Sequence, residues 1–359
     1  MPKPDEQIIG NTKPKRAHMK WENLPFRMQD RFETTEKVLP MPRKIKSPLE
    51  YFTSLFPQEI FDITVYQTNL YSTQVTQAKG RTAVTIMKDD IADFIVIEIL
   101  MRVVDMPRYL DYWSNSLRHD KIASLMSLKK YQQIRHFIHF VNNDENCDRY
   151  FKIRHLLNII RERWLQLDHE KAGSRRQYLP TKHKKKWRFK AFVRAGVSGI
   201  IYDFLPYESD DTFRNRLFTG EEDLFELGPK VVIGLCKTIP NPAASDVYFD
   251  NFFTTLPLVH CLRNEFGIFI LGTIRTNKIL RCDTLADNKS LKKWVDNKTV
   301  SLVCSYADAY PVSSVKRYCK DTREKIDVAC LYVVKKYNTH IGSVYLADML
   351  IALYGTICV

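Results

Sequence analysis

One segment constrains the fold more than any other: "DVYFDNFFTTLPLVHCLRNEFGIFILGTIRTNKI", Asp246 to Ile279. Val247 and Phe249 alternate into Asp250, the pattern of a half-buried strand. Thr255 is a good helix cap, with Pro257 in the first turn. Leu258, Leu262 and Phe266 form one apolar stripe, and Gly267 ends the helix. A second apolar run follows at once. Strand, helix, strand in so few residues implies an α/β sheet.

The chain before this segment has another texture. "SPLEYFTSLFPQEIFDITVYQTNLYSTQ" opens with Ser47 as N-cap, Pro48 at the first helical position and Glu50 closing a capping box. "KDDIADFIVIEILMRVV" carries Ile91, Phe94, Ile95, Ile99 and Val103 at helical spacing. Two more helices are read in 110–141, broken near Asp120, and another in Arg149–Leu167. The chain therefore divides into a basic, disordered leader over 1–46, a helical region over 47–167, and a mixed sheet domain with flanking helices over 168–359. In the last part, "WRFKAFVRAGVSGIIYDFLPYE" reads as a β-hairpin, and "KVVIGLCKTI" as a mixed apolar segment or the start of a helix on the sheet. The stretches 292–306 and 314–338 read as short strands. A last helix is read from about Leu346.

Charge bounds the partners. The 359 residues carry a formal net charge of +14, with a pI near 9.3. That excess points to an acidic partner, nucleic acid before a membrane surface. "KHKKKWRF" concentrates it: Lys182, Lys184, Lys185, Lys186 and Arg188 surround Trp187, with Arg175 and Arg176 close by. Such a stretch either binds phosphates and stacks a base or is a charged loop leading into a strand. "KPKRAHMK" in the leader is either a nuclear address or a solvated tail. The eight cysteines are scattered without the close spacing of a zinc knuckle. Ile91–Val104 is the most apolar stretch, but Asp93, Glu98 and Arg102 interrupt it, so no membrane span is expected. With no signal peptide read, residence is nuclear or cytoplasmic.

Two acids stand where chemistry would need them. Asp250 ends an apolar strand, and Asp348 begins a helix in "HIGSVYLADMLIAL". Carboxylates from different elements can clasp Mg²⁺ or Mn²⁺, and a third acid would complete a two-metal site for phosphodiester displacement. Each also has a local reading: a turn for Asp250, a helix-dipole partner for Asp348.

The chain resembles the piggyBac transposase family in its domesticated, transposable element-derived form. The matching stretches, in family order from Ser47 to Tyr354, include "SPLEYFTSLFPQEIFDITVYQTNLYSTQ", "DYWSNSLRHDKIASLMSLKKYQQIRHFIHFVNN", "RQYLPTKHKKKWRFKAFVRAGVSGIIYDF", "VYFDNFFTTLPLV" and "YNTHIGSVYLADMLIALY". The resemblance implies an RNase H-like catalytic domain with three aspartates, a helical DNA-binding and dimerisation region before it, an insertion here at about 275–335, and cut-and-paste transposition. Asp250 matches the second aspartate. The third lies in a Gly-Gly-Val-Asp-Leu-Ala-Asp motif, which here reads Gly342-Ser343-Val344-Tyr345-Leu346-Ala347-Asp348. Tyr345 therefore replaces the third acid, and Asp348 matches the accessory one.

The strand bearing the first aspartate is expected to be missing, since Leu167 runs through "DHEKAGSR" into "RQYLP". Only Asp168 or Glu170 could deputise. A phenol is neutral at pH 7 and a poor Mg²⁺ ligand. The expectation is an inactive transposase remnant in the nucleus, with no cofactor unless Mg²⁺ serves residual activity. Its partners would be DNA, bound non-specifically, and a second copy of the chain. The family's Cys-rich C-terminal zinc domain is expected to be absent, because the sequence stops at Val359. A residual metal-dependent nuclease and a protein-interaction module without DNA binding are the alternatives.

Overall fold

The structure, a computed structural model, describes residues 46–143, 150–167, 172–177, 190–214, 216–279, 291–295, 299–306, 312–318, 324–342, 344 and 346–347. The leader up to residue 45 lies outside that set. Five helices open the described chain: α1 (Pro48–Leu55), α2 (Gln58–Gln77), α3 (Lys88–Val103), α4 (Asp120–Ala123) and α5 (Leu128–Phe137). The capping box at α1 forms as the sequence predicts: Glu50 N donates to Ser47 Oγ, and Ser47 N donates to the Glu50 carboxylate.

These helices share one core. Ile91, Phe94, Ile97 and Met101 of α3 pack with Tyr112, Tyr131 and Ile134. The Trp113 indole and the Phe94 ring close on Tyr131 at 5.0 and 5.3 Å. The buried stripe of α3 is not the one its spacing suggested. Ile99 and Val103 stand 47% and 66% exposed, because α2 and α5 cover only the face that carries Ile97 and Met101. The buried face of α2 is unusual in being lined by hydroxyls, Thr64, Thr68, Ser72 and Thr76. Each is satisfied: Thr64 and Thr76 donate to carbonyls four residues back, Ser72 Oγ accepts from Val84 N, and Thr68 bonds the His139 backbone.

α6 (Phe151–Leu165) leads into the sheet and packs on it. Then follow β1 (Ala172–Gln177), β2 (Ala191–Gly196), β3 (Ile201–Pro206), α7 (Gly220–Asp223), α8 (Leu227–Cys236), β4 (Asp246–Phe249), α9 (Leu256–Asn264) and β5 (Phe269–Ile274). β6 (Leu291–Val295), β7 (Thr299–Cys304), β8 (Val312–Tyr318), β9 (Lys325–Leu331) and α10 (Tyr332–Ile341) complete the described elements. Seven strands make one sheet in the order β3-β2-β1-β4-β5-β7-β6, while β8 and β9 pair separately. β1, β4 and β5 run parallel, and the other pairs are antiparallel. Every residue of β4 is buried, as expected of a central strand covered on both faces.

Two sequence expectations change here. The place beside β4 is not vacant. β1, "AGSRRQ", fills it, pairing Arg175 with Phe249 on one side and Arg175 with Arg194 on the other. Leaving β2 and β4 with unpaired edges inside a sheet would strand backbone donors and acceptors, so a segment of weak strand propensity is recruited. A strand is present there, and its sequence holds no acid. Residues 332–338, read as strand, form α10 instead. Val333 and Val334 are buried on one side while Lys335 and Asn338 are exposed, so the period is helical once β9 has ended. "KVVIGLCKTI" resolves into α8, whose apolar residues lie in the core with Phe192, Val247 and Phe249.

Candidate functional site

In a parallel sheet the crevice beyond the carboxyl ends of the strands is where ligands bind. Asp250 lies there, directly after β4. The turn that holds it is built from its own atoms. Phe252 N donates to Asp250 Oδ1 at 2.9 Å, Thr254 Oγ1 donates to the Asp250 carbonyl at 2.8 Å, and the amides of Phe253 and Thr254 donate to the same carbonyl. Thr255 then caps α9 through Leu258 N, with Pro257 in the first turn. Two glycines let neighbouring backbone close on this loop. A Cβ on Gly228 would stand 2.7 Å from the Phe252 carbonyl oxygen, and one on Gly272 would stand 2.8 Å from Thr254 Oγ1.

The same edge of the sheet is basic. β5 runs parallel to β4 and is followed by Arg275, whose Nε donates to Asn251 Oδ1 at 3.3 Å. Arg275 is exposed, and no described carboxylate lies within ion-pair distance of it. Lys278 follows in a short 3-10 turn. β1 ends at Gln177 on this edge, and β2 begins there, because Gln177 pairs with Phe192. The segment between them, which holds Lys182, Lys184, Lys185, Lys186, Trp187 and Arg188, lies outside the described residues. Its two described flanks, Gln177 and Lys190, both sit at the Asp250 end. Arg175 and Arg176 are placed by backbone alone, in β1 beside Phe249.

The other predicted site residues, Asp168, Glu170, Tyr345 and Asp348, lie outside the described residues. Leu346 and Ala347, which are described, lie at the far end of the sheet. There a Cβ on Gly199, which turns β2 into β3 at φ +85, would meet Ala347 N and Leu346 Cγ at 3.1 Å. The register fixes that end: Gly196 pairs with Gly173, and Gly173 with Val247, toward the start of β4. α10 spans the face between, stacking His340 on Tyr248 with ring centroids 4.6 Å apart. Burial pushes the Tyr306 hydroxyl, 2.9 Å from that of Tyr248, far above its ordinary pKa, so the pair is a neutral hydrogen bond.

Divalent ions, which the family's chemistry implies, need several converging carboxylates. Here Asp250 offers one, with Oδ1 already accepting the Phe252 amide, and the adjoining β1 offers none. Among the described residues no three His, Cys, Asp or Glu side chains are grouped to hold a metal ion. The described residues do not fit such ions.

Sequence reading missed the most heavily satisfied acid. Asp203, on β3 and fully buried, takes Arg161 Nε on Oδ1 at 2.5 Å and Arg161 Nη2 on Oδ2 at 3.1 Å. Thr238 Oγ1 bonds it at 2.7 Å and Arg216 at 3.4 Å. Burial alone would raise its pKa, but the Arg161 hydrogen bonds and the charges of Arg216 and Arg161 hold it below the usual carboxylate value. The one signal available was an acid inside the apolar run "IIYDFL".

Comparison with known proteins places this geometry. A family model described as Transposase IS4 matches residues 47–358. Human PiggyBac transposable element-derived protein 2 is 24% identical over 347 residues, covering 86% of this chain and 56% of that protein. Human PiggyBac transposable element-derived protein 3 is 23% identical over 341 residues, covering 85% and 56%. The chain thus spans about half the length of these relatives. The solved piggyBac transposase synaptic complex with hairpin DNA superposes with a TM-score of 0.68 at 19% identity, over 87% of this chain and 69% of that one. Among the described residues no helix is long and apolar enough to cross a membrane.

Proposed function

The chain belongs to the Transposase IS4 family, in its piggyBac-type branch, and on that premise we propose that it is a DNA-binding, catalytically inactive descendant of a piggyBac transposase. One observation carries the reading. The strand paired with β4 beside Asp250 reads Ala-Gly-Ser-Arg-Arg-Gln, with two arginines and no carboxylate in its sequence. With Arg275 exposed on the same edge, the charge there suits phosphate directly, with no divalent ion between. DNA as partner makes the nucleus its place of work.

Two measurements test this. Incubation of transposon-end DNA with the full chain and Mn²⁺ is expected to leave the strands intact. Nicking that disappears in Asp250→Ala would overturn the inactive assignment. DNA affinity is expected to fall steeply with salt and to be indifferent to EDTA.

A second reading has its own support. Val96, Ile99 and Val103 leave an apolar stripe exposed on α3, which suits a protein partner, a second copy included. Absent or salt-insensitive DNA binding, with association lost in Ile99→Glu, would favour it.

A further inference from the structure

α2 carries a ridge between two grooves, and Asp62 and Tyr66 line both of them. Ile63 and Gln67, one turn apart on one flank of the helix, line a groove of about 470 Å³ with Phe140, Val141 and His155. Val65, Asn69 and Thr73, on the opposite flank, line one of about 460 Å³ with Leu70 and Lys88. Tyr66 stands between the two, 66% exposed.

Aromatic-lined grooves of this kind suit a proline-rich segment, whose polyproline II form is set before it binds. The chain supplies one close by. Its described residues begin at Lys46, and the leader before them reads Lys37-Val38-Leu39-Pro40-Met41-Pro42-Arg43-Lys44. Each proline fixes its own φ and restricts the residue before it to extended backbone. Leu39 to Pro42 therefore lose little freedom on docking. Leu39 and Pro42 share one face of a polyproline II strand, about 9 Å apart at 3.1 Å per residue. A helix is roughly 10 Å across with its side chains, so one residue can enter each groove with Tyr66 between them.

Reach and charge agree with this occupant. α1 is about 12 Å long and leads into α2 through Phe56 and Pro57, with Asp62 one turn further on. α1 also packs on α6, the helix that supplies His155. The steps from Val38 to Lys46 span about 25 Å in polyproline II form, enough to return along α1. Glu59 and Asp62 stand exposed in the first turns of α2, opposite in sign to Arg43 and Lys44. Asp62 already pairs with Lys88, so apolar contact rather than charge must supply most of the attraction.

We propose that the exposed ridge of α2 is a docking surface for the chain's own leader, with Leu39 and Pro42 seated on either side of Tyr66. None of these residues lies at the Asp250 edge, so the docking stands or falls apart from DNA binding there.

The full chain tests this in two ways. With the photo-crosslinking residue p-benzoylphenylalanine in place of Leu39, irradiation is expected to give adducts within one chain to residues 62–73, Phe140 or Val141, mapped by mass spectrometry. Their yield is expected to hold on dilution and to fall about ten-fold in Tyr66→Glu, the loss of an anchoring aromatic. In a trypsin digest, cleavage after Lys37 and Arg43 is expected to run about five-fold or more slower than cleavage after Lys20, since a docked segment is cut only when it opens. Tyr66→Glu, at an exposed position where the fold tolerates change, and Leu39→Glu in the leader itself are each expected to remove that difference. Adducts confined to other residues, or yields and cleavage unchanged in Tyr66→Glu and Leu39→Glu, overturn the inference. So do adducts between chains that vanish on dilution, which assign the ridge to a second copy.

Discussion

Asp203 and Asp250 are both acids of the same sheet, and the molecule treats them oppositely. Asp203 is buried on β3 and surrounded by Arg161, Arg216 and Thr238. Asp250 is half-buried at the carboxyl end of β4 and spends its oxygens on the next four residues of its own chain. The first ties α6 to the sheet across 42 positions of sequence. The second shapes a turn. The lesson is that an acid in a family motif can be tied to its own turn, while an acid outside any motif holds the architecture.

The comparison breaks most visibly at Asp203. Asp203→Ala leaves Arg161 and Arg216 without their shared partner and is expected to cost about 3–5 kcal/mol, read from urea unfolding. Its pH dependence follows from sign. The folded carboxyl sits below its unfolded value of about 3.9. Its stabilisation is therefore complete above about pH 4 and fades as pH falls through the lower folded value. Asp203→Asn should flatten that acid limb of the stability curve.

At the other acid the packing of the loop matters more than the acid itself. Gly228→Ala drives a methyl to 2.7 Å from the Phe252 carbonyl oxygen and should cost about 1–3 kcal/mol by the same assay. Asp250→Ala removes one acceptor and should cost about 1 kcal/mol. Asp250→Asn keeps an acceptor for Phe252 N–H and should cost less. A loss in Asp250→Asn as large as that at Asp203 would make the two acids alike after all. The smallest effect on folding is expected at Arg275. Arg275→Ala should move stability by less than about 0.5 kcal/mol, yet lower the salt slope of DNA binding by about one.

Part of this was legible beforehand because it is local. Ser47, Pro48 and Glu50 specify the start of α1 without help from the rest of the chain. Thr255 and Pro257 do the same for α9, and the apolar alternation into Asp250 marks β4. The stripe of α3 was only half legible: Ile99 and Val103 have the right spacing, but spacing does not say which side of a helix with two apolar faces meets its neighbours.

The sequence by itself determined the helical start, the strand-helix-strand unit and the family motifs, one of which carries Tyr345. Tertiary structure alone decided that "AGSRRQ" becomes the strand beside β4, that residues 332–338 coil into α10, and that Asp203 rather than Asp250 is the acid on which architecture rests. The physical reason is common to all three. A vacant strand position, a face to be covered and a buried charge to be paired are demands made by neighbours distant in sequence, and only the assembled sheet states them.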